Sequence, residues 1–348
     1  MDIQVIYTGG TIGMVPSDKG LVPGISDEEM SKWLNGLMEG SEITAKIRLK
    51  SLDHLIDSSS ATPHDWQTIL DTIEENPADS YVILHGTDTM SYTAAALSFA
   101  RAGDDTPVVL TGSQLPLIAA DSDAGKNVIG AITAAFSPKT KGVCLYFGDY
   151  LLAGNRSSKT SSWGFNGFET PLAHPLAIAG VPWRWAAQSQ SRDTQPLPWG
   201  KPAPYRQHDV AMIDLVPGIT AQRLRALLAP APEAVIIRAY GMGNCPSVEP
   251  GFVDVLAETV ASGVPVVISS QCQLADVALS TYEAGRVLAR AGCVGSADMT
   301  LEATYAKLIF LLSQGMNSEQ VRQWLEKPIC GELFYSGRLQ SPDRPPDL

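Results

Sequence analysis

Two hydroxyl-bearing knots stand where apolar runs end: Thr11 in "YTGGTIGMVPSDKG", and Thr87 with Asp88 in "YVILHGTDTMSYTAAALSFA". A threonine on a tight glycine turn at the carboxyl end of a strand occupies the place where open α/β sheets bind ligands. The alternative for Thr11 is a turn threonine bonding its own backbone. At the second knot, Thr87, Asp88 or Thr89 can simply cap the following helix, and an acid in the first turn suits the helix dipole. Two such knots are harder to assign to turns alone, because neighbouring parallel strands would bring both to one sheet edge. A third cluster, "IDSSSATPHDW", holds Asp57, Ser58 and Ser59 ahead of a helix; a turn is its default reading. A ligand carrying both an ammonium and a carboxylate would, however, need an acceptor such as Asp88 together with several hydroxyl or amide donors. Lys159, in "GNRSSKTSSWGF", reads as a solvated lysine unless it is drawn beside a threonine and an acid, where it could exchange protons. Asp104, Asp105, Asp121 and Asp123 read as solvated turns or helix caps.

Other chemistries lack their residues. The glycines after the first strand run G-G-x-x-G, Pro16 forbids a long helix there, and no Walker lysine follows, so nucleotide binding is disfavoured. There is no G-x-S-x-G elbow and no H-E-x-x-H pair, and the five histidines form no ligand spacing. The five cysteines lie far apart without a C-x-x-C pair, which points to reduced thiols and to neither a disulfide framework nor a zinc site. No metal and no cofactor is expected. A formal charge of −12 argues against nucleic acid and against acidic membrane surfaces, leaving a small molecule as the expected partner. No apolar run reaches the roughly 18 residues of a membrane span. The opening "MDIQVIYTGG" reads as a strand rather than a secretory signal, so a cytoplasmic location is expected.

The elements that must carry these residues alternate. Apolar runs at 3–7, 81–84, 107–111 and 142–147 are separated by helix signals, among them Ser26 with Glu29 as a capping box and Thr62 followed by Pro63. Runs without polar alternation suit parallel strands covered on both faces, so the fold class is α/β. The stretch from 171 to 208 is rich in Pro, Gln, Ser and Trp and reads as a crossing segment between domains. A second alternating series follows in "VAMIDL", "AVIIRAYG" and "PVVISSQC", with helices over 301–313 and 318–325 and a loose tail "SPDRPPDL". The expectation is two α/β domains: a larger N-terminal one over 1–185 with a mainly parallel sheet, a linker over 186–208, and a smaller C-terminal one over 209–348.

In order and spacing, "YTGGTIGM", "DSS" at 57–59, "ILHGTDTM", "VVLTGSQLPL", "GNRSSK", "RAYGMGN" and "SADMTLEAT" resemble the bacterial type I, cytoplasmic L-asparaginases of the asparaginase/glutaminase family. The resemblance implies that Thr11 is the nucleophile attacking the side-chain amide of L-asparagine through an acyl-enzyme. It implies that Thr87, Asp88 and Lys159 handle protons, and that main-chain N–H groups including that of Ser113 steady the oxyanion. Asp88 would meet the substrate ammonium and Ser58, flanked by Asp57 and Ser59, its carboxylate. Asn244 would complete a partner subunit's site in a homodimer or homotetramer, a dimer of dimers. Arg238 and Cys272 match an effector site for asparagine in some relatives. One departure is visible: where the family usually carries a tyrosine in the loop after the GGT turn, this chain has Leu21. Tyr7 does not obviously replace it. The resemblance leaves two competitors, an ammonia-supplying amidotransferase subunit and a non-catalytic amino-acid sensor that kept the pocket.

Overall fold

A computed structural model describes residues 1–18, 20–186, 197, 199–279 and 283–334. The chain divides into two units, Met1–Ser189 and Gln190–Leu348.

In the first unit the strands are β1 (Asp2–Gly9), β2 (Met14–Ser17), β3 (Gly20–Pro23), β4 (Lys46–Ile56), β5 (Ser80–Leu84) and β6 (Val108–Thr111). They continue with β7 (Val143–Phe147), β8 (Tyr150–Ala153), β9 (Ser158–Lys159), β10 (Phe168–Glu169), β11 (Ala177–Ile178) and β12 (Arg184–Trp185). Among the described residues four helices intervene: α1 (Asp27–Met38), α2 (Pro63–Glu75), α3 (Met90–Ala100) and α4 (Ala124–Phe136). Eight strands form one sheet in the order β12-β11-β8-β7-β6-β5-β1-β4. From β4 to β7 every pairing is parallel, and from β7 to β12 every pairing is antiparallel. The strands β5, β6 and β7 are buried along their whole length, as their unbroken apolar runs require of strands covered on both faces.

The chain leaves β1 toward β4 on one side and returns through α2 to β5 on the other. That reversal opens a crevice at the carboxyl ends of β1 and β5, where doubly wound sheets bind ligands. The expected capping box forms at α1, where Ser26 and Glu29 bond reciprocally. At α2 the Asp65 carboxylate accepts from both the N–H and the hydroxyl of Thr62.

Two features differ from the sequence expectation. The long strand β4 carries Lys46, Arg48, Lys50 and Asp53, and its half-exposed position at the sheet edge explains why no apolar run announced it. The start of the 171–208 stretch is not only a crossing: β11 and β12 extend the main sheet. Residues 187–196 and 198 of the expected linker, and the tail from 335 onward, lie outside the described residues.

The second unit has β13 (Val210–Asp214), β14 (Ala234–Ala239), β15 (Val266–Ser270) and β16 (Val294–Gly295) in one parallel sheet in that order. Its helices are α5 (Ala221–Leu227), α6 (Phe252–Ala261), α7 (Glu283–Arg290), α8 (Leu301–Ser313) and α9 (Ser318–Leu325). Trp199 packs on Phe310 and Trp324, and Tyr205 on Phe310, which lays residues 199–205 against α8 and α9.

Candidate active site

Four loops leave the carboxyl ends of the adjacent parallel strands β4, β1, β5 and β6, and three of them meet at Gly10, Gly86 and Ser58. Gly10 has φ of +85°, and a Cβ there would lie 2.4 Å from the Gly86 Cα. A Cβ on Gly86 would in turn lie 2.3 Å from the Ser58 hydroxyl. Both positions therefore require glycine, one for backbone conformation and both for space. Side chains fasten the same contact: the Thr8 hydroxyl donates to the Leu84 carbonyl at 3.0 Å, and that of Thr89 to the Ser58 carbonyl at 2.8 Å.

The result is a cavity of about 240 Å³ lined by Gly10, Thr11, Met14, Asp57, Ser58, Thr87, Asp88, Gln114, Lys159 and Ser162. Within it the Lys159 ammonium donates to the Thr87 hydroxyl at 2.8 Å and to the Asp88 carboxylate at 2.7 Å. The Lys159 side chain is 19% exposed and that of Asp88 60%. A lysine, a hydroxyl and an acid in hydrogen-bond contact beside a second hydroxyl, Thr11, can transfer protons to and from a bound small molecule.

Most residues singled out from the sequence meet here, 148 positions apart at the extremes, Thr11 and Lys159. The capping alternative for the second knot fails in its side chains. Thr89 occupies the cap position of α3 without a capping bond, and Asp88 pairs with Lys159 instead. Asp57 does serve its turn, accepting from the Ser59 N–H at 3.0 Å, and lines the cavity as well. Ser59 is exposed and not among the lining residues. Ser113 is buried, with its hydroxyl donating to the Leu115 carbonyl, and its neighbour Gln114 is the lining residue. Leu21 stands 49% exposed on β3 opposite Pro16, outside the lining set. Tyr7 is buried, and burial, helped by the Asp27 carboxylate, pushes its phenol up to about 12.

In the second unit Asn244 is exposed and bridges its backbone to Tyr240. The Arg238 guanidinium pairs with Asp214 at 2.9 Å, and Cys272 is exposed, its N–H donating to the Ser270 hydroxyl.

Asp123, read from the sequence as a solvated turn or a helix cap, stands at the N-cap position of α4 without a side-chain capping bond. It is buried, and its carboxylate accepts from the N–H groups of Gln114 and Leu115 and from the Asn127 amide. Neither Gln114 nor Asp123 stood out in the sequence. The signal available for Gln114 was its place in the motif "VVLTGSQLPL" beside Ser113, which the pairing of β6 with β5 brings to the same sheet edge as "HGTDT".

Comparison with known proteins decides the family. Residues 2–190 match the family profile "Asparaginase, N-terminal", and residues 209–325 match "Glutaminase/Asparaginase C-terminal domain". The chain belongs to the asparaginase family. It is 37% identical to L-asparaginase 1 of Escherichia coli K12 over 95% of this chain and 97% of that protein. It is 34% identical to the L-asparaginase of Thermococcus kodakarensis over 97% of this chain and 100% of that one. Among solved structures, L-asparaginase I of Vibrio cholerae superposes with a TM-score of 0.84 at 37% identity, covering 96% of this chain and 99% of that one. The mainly parallel N-terminal sheet and the separate C-terminal parallel sheet are the fold of this family.

Proposed function

We propose that this protein hydrolyses L-asparagine to L-aspartate and ammonia, with Thr11 as nucleophile. The observation that carries the reading is the Lys159 ammonium bridging Thr87 and Asp88 in the cavity that Thr11 lines. The Thr11 hydroxyl attacks the side-chain amide carbon, and its proton passes through the Thr87, Lys159 and Asp88 group to the leaving nitrogen. Ammonia departs, an ester to Thr11 remains, and water cleaves it to aspartate and free threonine. The main-chain N–H of Ser113 stabilises the tetrahedral oxyanion.

Recognition follows from charge pairing. An amino-acid zwitterion taken out of water must have both ends paired, since an unpaired buried charge costs several kcal/mol. Asp88 takes the α-ammonium, and Ser58 with the adjoining 57–59 main chain takes the α-carboxylate. The protein works in the cytoplasm as a homodimer or homotetramer, with Asn244 of one copy completing the site of another. Asparagine also acts as an effector through Arg238 and Cys272; a sigmoidal rate against asparagine that becomes hyperbolic in Arg238→Ala supports this, and a hyperbola in the unaltered protein refutes it.

Ammonia release from L-asparagine, L-glutamine and the D-isomers, measured beside Thr11→Ala, tests the main reading. The unaltered protein should turn over L-asparagine and the variant should lose turnover by a factor of about 10³ or more. Equal, slow release from both would refute catalysis. Calorimetric binding of asparagine without turnover would then favour an amino-acid sensor, a reading to which the leucine at position 21 lends its only support.

A further inference from the structure

We infer that Gln114 is a positioning residue for Lys159, acting through the turn that follows the lysine; the inference rests on the active-site reading above. Lys159 stands at the end of β9, a strand of two residues paired, among the described residues, only with β10 in a sheet separate from the main one. So short a strand cannot hold a lysine by its ladder alone. Beyond it the chain turns through residues 160–167. The turn closes on itself through the Thr160 N–H donating to the Gly167 carbonyl at 2.9 Å and the Gly164 N–H to the Ser161 hydroxyl at 2.9 Å.

Gln114 ties this turn to the main sheet. Its side-chain amide donates to the Gly164 carbonyl at 3.0 Å and to the Ser161 carbonyl at 3.3 Å, which commits both of its N–H groups. The amide lies so close in that a Cβ on Gly167 would come within 2.8 Å of it. Gln114 is itself anchored. Its backbone N–H is 3.0 Å from each oxygen of the buried Asp123 carboxylate, which the Leu115 N–H also reaches at 3.1 Å. The Asn127 amide, one turn into α4, donates to that carboxylate and to the Gly112 carbonyl, both at 3.0 Å. A buried carboxylate with several good donors is a rigid support, because each bond lost would leave charge unpaired. The chain of support runs from α4 through Asp123 and Gln114 to the Ser161 and Gly164 carbonyls, and so to Lys159, Thr87 and Asp88. It fixes how deep the ammonium sits in the cavity, and a shift of about 1 Å there is enough to cost turnover up to a hundredfold.

The test is a double-mutant cycle on ammonia release from L-asparagine, read with thermal melts and crystal structures. Gln114→Leu should lower kcat by roughly tenfold to a hundredfold with KM changed less than about threefold. The same substitution in a Lys159→Met background should change the residual rate less than about twofold, because the group it positions is gone. Gln114→Glu, which sets a carboxylate against two carbonyls, should be at least as impaired near neutral pH and should recover in part as the pH falls and the acid becomes a donor. A crystal structure of Gln114→Leu should show the Lys159 ammonium withdrawn from hydrogen-bond distance of Thr87. Equal losses in both backgrounds, an unchanged kcat, or a Lys159 still bonded to Thr87 would overturn the inference. Absence of asparagine turnover in the unaltered protein would instead refute the active-site reading, and the crystal structure would then decide the role of Gln114 by itself.

Discussion

Lys159 and Lys307 are both drawn out of bulk water and both bonded to a carboxylate, yet only the first faces a cavity. Lys307, on α8, and Glu332 are each 0% exposed, 2.6 Å apart. The Lys307 ammonium also donates to the carbonyls of Lys327 at 2.6 Å and Leu325 at 3.3 Å, and Glu332 accepts from the N–H groups of Ile329 and Cys330. Every donor of that lysine is spent on holding the 325–332 segment to α8. Lys159 is bonded to a hydroxyl and to an acid that is more than half exposed, so its proton has an exit. A paired lysine is structural when its shell is closed and chemically available when the shell opens on a cavity. The same division runs through "HGTDT". His85 is buried with its ring satisfied on both sides, Nδ1 donating to the Gly86 carbonyl at 2.7 Å and Nε2 accepting from Thr93 at 3.0 Å, while Thr87 and Asp88 face the cavity.

This contrast is open to breakage at four points. Lys159→Met should reduce kcat by about 10² to 10⁴ while leaving the melting temperature nearly unchanged, as expected of a proton-transfer group at a surface-connected site; steady-state rates and a thermal melt read both quantities. Lys307→Met should do the reverse. It strands the Glu332 carboxylate and costs about 3–5 kcal/mol in denaturant unfolding, with activity per folded molecule kept. The double variant Lys307→Met, Glu332→Leu should recover only part of that loss: the stranded charge is gone, but the Ile329 and Cys330 N–H groups and the Leu325 and Lys327 carbonyls have lost their partners. Loss of activity in a folded Lys307 variant would erase the distinction.

The third point is Asp123→Ala, which leaves the Gln114 and Leu115 N–H groups without their acceptor and should cost about 1–3 kcal/mol in a urea melt. The smallest effect concerns His85. Burial holds its imidazole below the ordinary value of 6.5, outweighing the Gly86 bond and the Asp65 carboxylate that pull it up. The unfolded chain therefore binds a proton that the folded chain refuses. Its contribution to stability is complete above about pH 6.5 and falls away as the pH drops through the folded pKa. His85→Gln should flatten that acid limb in melting temperature against pH; an unaltered limb would assign the acid sensitivity to other groups.

Much of the fold was legible locally. The buried runs of β1, β5, β6 and β7 lack polar alternation, and the reciprocal pair of Ser26 and Glu29 marks the start of α1, so short-range rules sufficed. Edge position hid β4, whose lysines, arginine and aspartate are tolerated because half of that strand faces solvent. Among site residues, Thr11, Thr87 and Asp88 declared themselves by standing at the ends of apolar runs. Gln114 and Asp123 did not, because a glutamine in a turn and an aspartate before a helix have ordinary local explanations. Their roles arise from bonds to residues 47 and 50 positions away in one case and 9 in the other.

By itself the sequence determined the α/β class, the presence of hydroxyl and acid knots at strand ends, and the family resemblance carried by its motifs, because each depends on residues close together in the chain. Only the tertiary structure decided that β1 lies between β4 and β5, that Gly10, Gly86 and Ser58 meet, and that Lys159 lands on Thr87 and Asp88 while Lys307 is sealed from water. Strand order, burial and the openness of a charge's shell are set by packing between distant segments, and no local pattern of residue types encodes them.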